Sequence, residues 1–194
     1  CPGGELDVDT IEDVHRLVSM DLKAPGSRLI LVGETREELG GSHYFAVLGV
    51  EGGRVPDLLL PGAARIHRAV GRALAEGLVL SCHDLSEGGL GVAAAEMAFS
   101  GGIGAEIRLE RVPRDGCERD DAILFSESNS RYLLEVREDR VAAVLSLFAD
   151  LPAAEIGETV KYRILRVLAL GGKPVVAEAL EDLKKSWKGP LRFS

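Results

Sequence analysis

Apolar residues in the first half of the chain fall into short blocks separated by polar turns. RLILV at 28–32 carries four successive apolar residues and stops at Gly33, the pattern of a strand buried on both faces. Residues 61–76 set Ile66, Val70, Ala73 and Leu74 at helical spacing ahead of Gly77, a natural C′ residue, which predicts a helix. LVLSCHD at 78–84 reads as a short buried strand. From Ser86 the period is helical again, with Leu90, Ala93, Ala94 and Met97 on one face until the SGG of 100–102. Upstream, residues 11–24 read as a strand or short helix before a PGS turn. The double glycine at 40–41 opens a further helix with Ser42 as its N-cap.

The second half continues the alternation. GAEIRLERV at 104–112 predicts a strand, AILF at 122–125 and RYLLEV at 131–136 two more, and a helix follows from about Arg137 to Phe148. YRILRVLAL at 162–170 predicts a strand. PVVAEALEDLKKSW at 174–187 predicts an amphipathic helix with Pro174 in its first turn and Trp187 as a partly buried anchor. Together these elements predict an α+β fold, a three-layer α/β/α-type domain with helices packed on a mixed sheet. Residues 1–27 are expected to be the tail of a preceding domain or a linker, and 28–194 the domain itself.

With 194 residues the chain can bury a core without covalent staples. Its 31 acidic against 23 basic residues, a net charge of −8, argue against a nucleic-acid groove. Cys1, Cys82 and Cys117 are widely spaced with no CxxC, which indicates neither a disulfide framework nor zinc and fits a reducing cytoplasm. No apolar run approaches the ~20 residues of a membrane span. The start has no signal-peptide pattern, and a first residue other than Met suggests a processed or excised piece. GxSxG, GxGxxG and Walker A patterns are absent, and the four histidines have no zinc-ligand spacing. Cys82 and His83 are neighbours on a strand and point to opposite faces, which speaks against a nucleophile pair.

Two stretches carry candidate chemistry. In HDLSEGGL at 83–90, Ser86 caps the coming helix and Glu87 complements its dipole on the purely structural reading. On the functional reading Gly88 and Gly89 admit a ligand close to the backbone, N–H groups accept phosphate, and Asp84 holds Mg²⁺. In FSESNSR at 125–131 the bland reading is a polar hairpin loop. The other has Ser126, Ser128 and Asn129 bonding a ribose or phosphate with Arg131 as a point of charge. Spacing leaves both pairs of readings open. Gly40 and Gly41 before Ser42 are a weaker anion cradle.

Taken jointly, LVGETREELGGSHYF, GLVLSCHDLSEGGLGVAAAEMAFSGGIGAEI and ILFSESNSRYLLEV resemble the aminoimidazole ribonucleotide (AIR) synthetase superfamily in its C-terminal type of domain. Within it they look most like the large subunits of phosphoribosylformylglycinamidine synthase, in the second copy of that domain. The resemblance implies an ATP-dependent amidoligase of purine biosynthesis. Such an enzyme converts formylglycinamide ribonucleotide to formylglycinamidine ribonucleotide with ammonia from a glutaminase subunit, and uses a small accessory subunit as well. It implies Mg²⁺ and ATP/ADP as cofactors in the full enzyme, no catalytic residue in this stretch, and an upstream ATP-binding portion without which the stretch is inactive. Residue by residue, Asp84 matches a Mg²⁺-binding carboxylate of the first copy, and Glu127 with Ser128 matches that copy's substrate-binding Glu-Ser-Gln, Asn129 standing for Gln. Ser86, Glu87, Gly88, Gly89 and Ser126 complete the nucleotide- or phosphate-binding set, at an auxiliary site or a domain interface. The alternative is a stand-alone binding or scaffold module of the superfamily that joins a separate ATP-binding subunit.

Overall fold

The computed structural model describes residues 17–189. Their centre is β1 (Arg28–Val32), whose side chains alternate between two cores. Leu29 and Leu31 face one, Ile30 and Val32 the other, and all four are almost completely buried. A strand covered on both faces has no polar side to show, which is why the sequence is continuously apolar there.

β1 is flanked antiparallel by β6 (Tyr132–Val136) and β7 (Ala153–Val160). β3 (Ser81–Asp84) closes the sheet beyond β6. On the other side β7 pairs with β4 (Gly104–Arg108), β4 runs parallel to β8 (Ile164–Leu168), and β8 turns back into β9 (Pro174–Ala179). The seven-stranded order is β3-β6-β1-β7-β4-β8-β9, mixed because β4·β8 is parallel. A small parallel pair joins β2 (Thr35–Arg36) to β5 (Arg114–Asp115).

Helices cover both faces, as expected for three layers. On one, α3 (Gly89–Gly101), α4 (Asp120–Phe125) and α6 (Leu180–Lys188) pack with Leu29, Leu31 and Leu133. On the other, α2 (Leu60–Ala75) and α5 (Val141–Leu147) pack with Ile30, Val32, Leu134 and Val136. In α2 the buried residues Ala63, Ile66, Val70 and Ala73 keep helical spacing. Its end is a Schellman turn: Gly77 at φ 66 donates to Leu74, and Leu78 donates to Ala73. The short α1 (His43–Leu48) is capped by Ser42, whose Oγ accepts from the Phe45 N–H at 3.2 Å.

Two local expectations are corrected, and one strand was missed. AILF is the body of α4, not a strand; a four-residue apolar run has no period of its own, and Asp120 and Asp121 ahead of it favour a helix start. The helix expected from Pro174 begins only at Leu180, because β-branched Val175 and Val176 pair with β8 as an edge strand that Pro174 opens. β7 was not foreseen, since Glu155, Gly157, Glu158 and Thr159 interrupt its apolar pattern. Gly157 is there for contact: a β-carbon would stand 2.1 Å from the Glu106 carbonyl oxygen of β4.

Of residues 11–24, positions 11–16 lie outside the described residues, and 17–24 form neither strand nor helix. They nevertheless lie on the domain. Leu22 is buried and its N–H bonds Met97, while the Lys23 and Ala24 N–H groups bond the buried Glu135 carboxylate at 2.8 and 3.0 Å. Trp187 is 47% exposed, so about half of its surface is covered.

Candidate functional site

The turn between β3 and α3 is built on Gly88 and Gly89, at φ 76 and 59. Two successive left-handed residues favour glycine at both places. Gly88, not Ser86, is therefore the N-cap of α3, and no side chain caps it there. Ser86 turns back instead, its Oγ donating to Asp84 Oδ2 at 3.1 Å. A β-carbon on Gly89 would stand 2.3 Å from the Ser126 carbonyl oxygen and 2.9 Å from that of Leu124. The close approach at this glycine is by the chain's own backbone.

Glu127 fastens the turn from the side. Its Oε1 accepts from the Gly88 N–H at 2.9 Å and from the His43 N–H at 3.1 Å, joining the starts of α3 and α1. Ser126 and Ser128 are fully buried and bond inward. Ser126 Oγ accepts from the Glu38 N–H at 3.0 Å and Ser128 Oγ from the Arg36 N–H at 3.1 Å. Arg131 is buried under the same loop, donating to the Ser128 and Ser126 carbonyls and to Thr35 Oγ1. Burial lowers its pKa to about 10, still far enough above neutrality to keep the charge. Asn129 is exposed and faces a separate cavity of about 110 Å³ beside Arg36 and Gly62. The FSESNSR loop thus has a structural interior, and Glu127 is the member that reaches the turn.

Above the turn lies a cleft of about 360 Å³ lined by His43, His83, Asp84, Ser86, Glu96 and Trp187, among others. His83 bridges two carboxylates, with Nδ1 3.3 Å from Asp84 Oδ1 and Nε2 2.9 Å from Glu96 Oε2. Glu96 Oε1 accepts from Trp187 Nε1 at 2.8 Å. Asp84 keeps its carboxylate largely in solvent, 61% exposed at the side chain. With Asp84, Glu87 and Glu96 on its wall, the cleft attracts a cation or a cation-bearing anion more readily than a bare phosphate. Among the described residues no group of three or more His, Cys, Asp or Glu side chains could hold a metal ion alone. Burial, aided by Asp84, pushes the Cys82 thiol up to about 12, which disfavours the nucleophilic thiolate at neutral pH.

Asp84, Ser86, Glu87 and Gly88 therefore meet in one cleft, while Gly89, Ser126 and Ser128 lie behind it. Glu96 and the cleft role of Trp187 were not expected. The available signal for Glu96 was a lone carboxylate inside the apolar run VAAAEMAF.

Residues 24–168 match the family described as AIR synthase related protein, C-terminal domain. The chain belongs to this family. Among curated relatives, the phosphoribosylformylglycinamidine synthase subunit PurL of Alkaliphilus metalliredigens is 35% identical over 188 residues, 95% of this chain and 24% of that protein. The chain spans about a quarter of the length of such relatives. Among solved structures, T. maritima PurL complexed with FGAR shares the fold at TM-score 0.77 and 22% identity, over 88% of this chain and 30% of that one. The complex of the same protein with ATP gives TM-score 0.71 and 24% identity, over 88% of this chain and 27% of that one. These likenesses show that the fold is shared, in keeping with the family match.

Proposed function

We propose that the chain is the C-terminal part of a PurL-type phosphoribosylformylglycinamidine synthase, in the second copy of its AIR-synthase-related C-terminal domain, and that it forms one wall of a Mg²⁺–nucleotide site. The relatives carry the enzyme's name, and a structural neighbour binds FGAR and ATP. In this reading the full enzyme uses ATP and glutamine-derived ammonia to turn formylglycinamide ribonucleotide into formylglycinamidine ribonucleotide. It assembles with glutaminase and small accessory subunits in the cytoplasm. Residues before 28 connect the domain to the upstream ATP-binding portion.

The observation that carries this reading is the Asp84 carboxylate, exposed at the cleft mouth and oriented by Ser86 and His83. One protein carboxylate, completed by waters and phosphate oxygens, is an ordinary coordination set for Mg²⁺. When bound, the cation neutralises phosphate charge. Ser86, Glu87, Gly88 and Gly89 shape the turn beside it. Glu127 fixes that turn from behind, and Ser126 and Ser128 hold the backbone of residues 38 and 36 beneath it. Because Glu127 already accepts the Gly88 N–H, phosphates meet this wall through the cation rather than through that amide.

The test is titration of the chain with Mg-ADP, followed by amide chemical shifts. Residues 83–91 should move, with an affinity near millimolar, roughly 4 kcal/mol, because these residues form only one wall of the site. Asp84→Asn should fold normally and lose the Mg²⁺ dependence. No shift at high ligand concentration would overturn the site, and ATP hydrolysis by the chain alone would overturn its auxiliary character.

A further inference from the structure

Trp187 is the chain's single tryptophan and lies in the last described helix, α6. It stands where two spaces meet. It lines the polar cleft and also an adjoining apolar cavity of about 290 Å³ walled by Phe99, Phe125, Val176 and Leu183, among others; Val92 and Glu96 are common to both. The ring is held in place. Its Nε1 donates to Glu96, and its centroid lies 5.7 Å from that of Phe99 at an interplanar angle of 51°. Glu96 in turn bonds His83, which contacts Asp84, so one polar chain fixes the indole relative to the carboxylate at the cleft mouth. At 47% exposure, a large aromatic surface is left open toward solvent.

An aromatic ring fixed beside an acidic, hydroxyl-bearing turn suits a ligand with a flat apolar end and a cation-bearing charged end. We infer that Trp187 is the platform on which the base of a nucleoside polyphosphate stacks, its phosphates and divalent cation lying toward Asp84. This rests on the reading of the cleft as a Mg²⁺–nucleotide site and adds its base-recognising residue. Stacking on an indole is tolerant of base identity, because every base offers a π-face. Selectivity should therefore lie between ligands with and without a base, more than between bases.

The chain is titrated with Mg-ADP and, separately, with Mg-pyrophosphate, which has the charged end alone. ADP should bind about tenfold more tightly than pyrophosphate, quench Trp187 emission and shield it from acrylamide. Pyrophosphate should shift the amides of 83–91 without changing the emission. Trp187→Leu should bring ADP down to the pyrophosphate level and leave pyrophosphate unchanged, and Trp187→Phe should restore most of the preference. The acrylamide measurement needs no variant, so a misfolded Leu variant leaves the test intact. Equal affinity for the two ligands with unchanged emission would overturn the inference and spare the cation site. If neither ligand moved residues 83–91, both would be overturned.

Discussion

A methyl group added at Gly89 should damage the fold whether or not a ligand is present. The residue sits at φ 59, and the new β-carbon would lie 2.3 and 2.9 Å from two backbone carbonyl oxygens. The left-handed conformation costs an alanine about 1–2 kcal/mol, and forcing the turn away from residues 124–126 adds about 1–3 kcal/mol by analogy with overpacked cores. Gly89→Ala should therefore lose about 2–5 kcal/mol, or roughly 4–20 °C in Tm for a chain of this size. Gly88→Ala is the informative companion. It is also left-handed, at φ 76, but its β-carbon would meet a side chain, Val92 Cγ2 at 2.2 Å. Val92→Ala should remove the Cγ2 contact and leave only the milder one with Cβ at 2.9 Å, giving a coupling of about 1–3 kcal/mol in a double-mutant cycle. The same change paired with Gly89→Ala should be additive, because the three atoms nearest that site are all backbone of residues 124–126. Thermal and urea melts of the five variants measure all of this. A Gly89→Ala chain melting within 2 °C of the parent, or no coupling between positions 88 and 92, would refute the packing account of the two glycines.

Glu135→Ala strips the buried acceptor of the Lys23 and Ala24 N–H groups and of Ser81 Oγ. It should cost about 3 kcal/mol or more, with hydrogen exchange at residues 23 and 24 rising first. Cys82 makes a pH prediction. Its folded thiol titrates near 12 against an ordinary 9.0, so above pH 9 the unfolded chain loses a proton that the folded chain retains. Its contribution to stability is complete below pH 9 and is lost as pH rises toward 12. Cys82→Ala should remove that part of the alkaline loss, read as the difference between the two melting profiles. At pH 8 the parent thiol should alkylate at least about tenfold more slowly than a free cysteine, because the smaller thiolate fraction outweighs the higher nucleophilicity of a more basic thiolate.

Where a local pattern had its own period or punctuation, the fold was legible in the sequence. β1, α2 with its Gly77 terminus, and the Ser42 cap need only neighbouring residues to be read. The pattern failed where a partner far along the chain decides the outcome. β7 is a strand because β1 and β4 flank it, and Gly157 records the approach of Glu106 rather than a turn. The site followed the same division. HDLSEGGL marked the right junction, yet Glu127 takes the Gly88 amide from 39 positions away, and Trp187 reaches Glu96 from 91 positions away. Neither partnership leaves a trace in spacing. Ser126 and Ser128 were attractive as ligand groups by residue type, and only their burial shows that their hydroxyls bond residues 36 and 38.

The position of β1 has a consequence for biosynthesis. The strand is among the first parts of the described chain to leave the ribosome, yet its neighbours, β6 and β7, begin at Tyr132 and Ala153. At about 5–20 residues per second, an apolar RLILV segment waits several seconds or more for either edge to be covered. The delay leaves this apolar strand unpaired throughout synthesis of α2, β3 and α3. Slowing translation before residue 132 should thus lower the soluble yield of this domain, whereas slowing it after residue 160 should leave the yield unchanged.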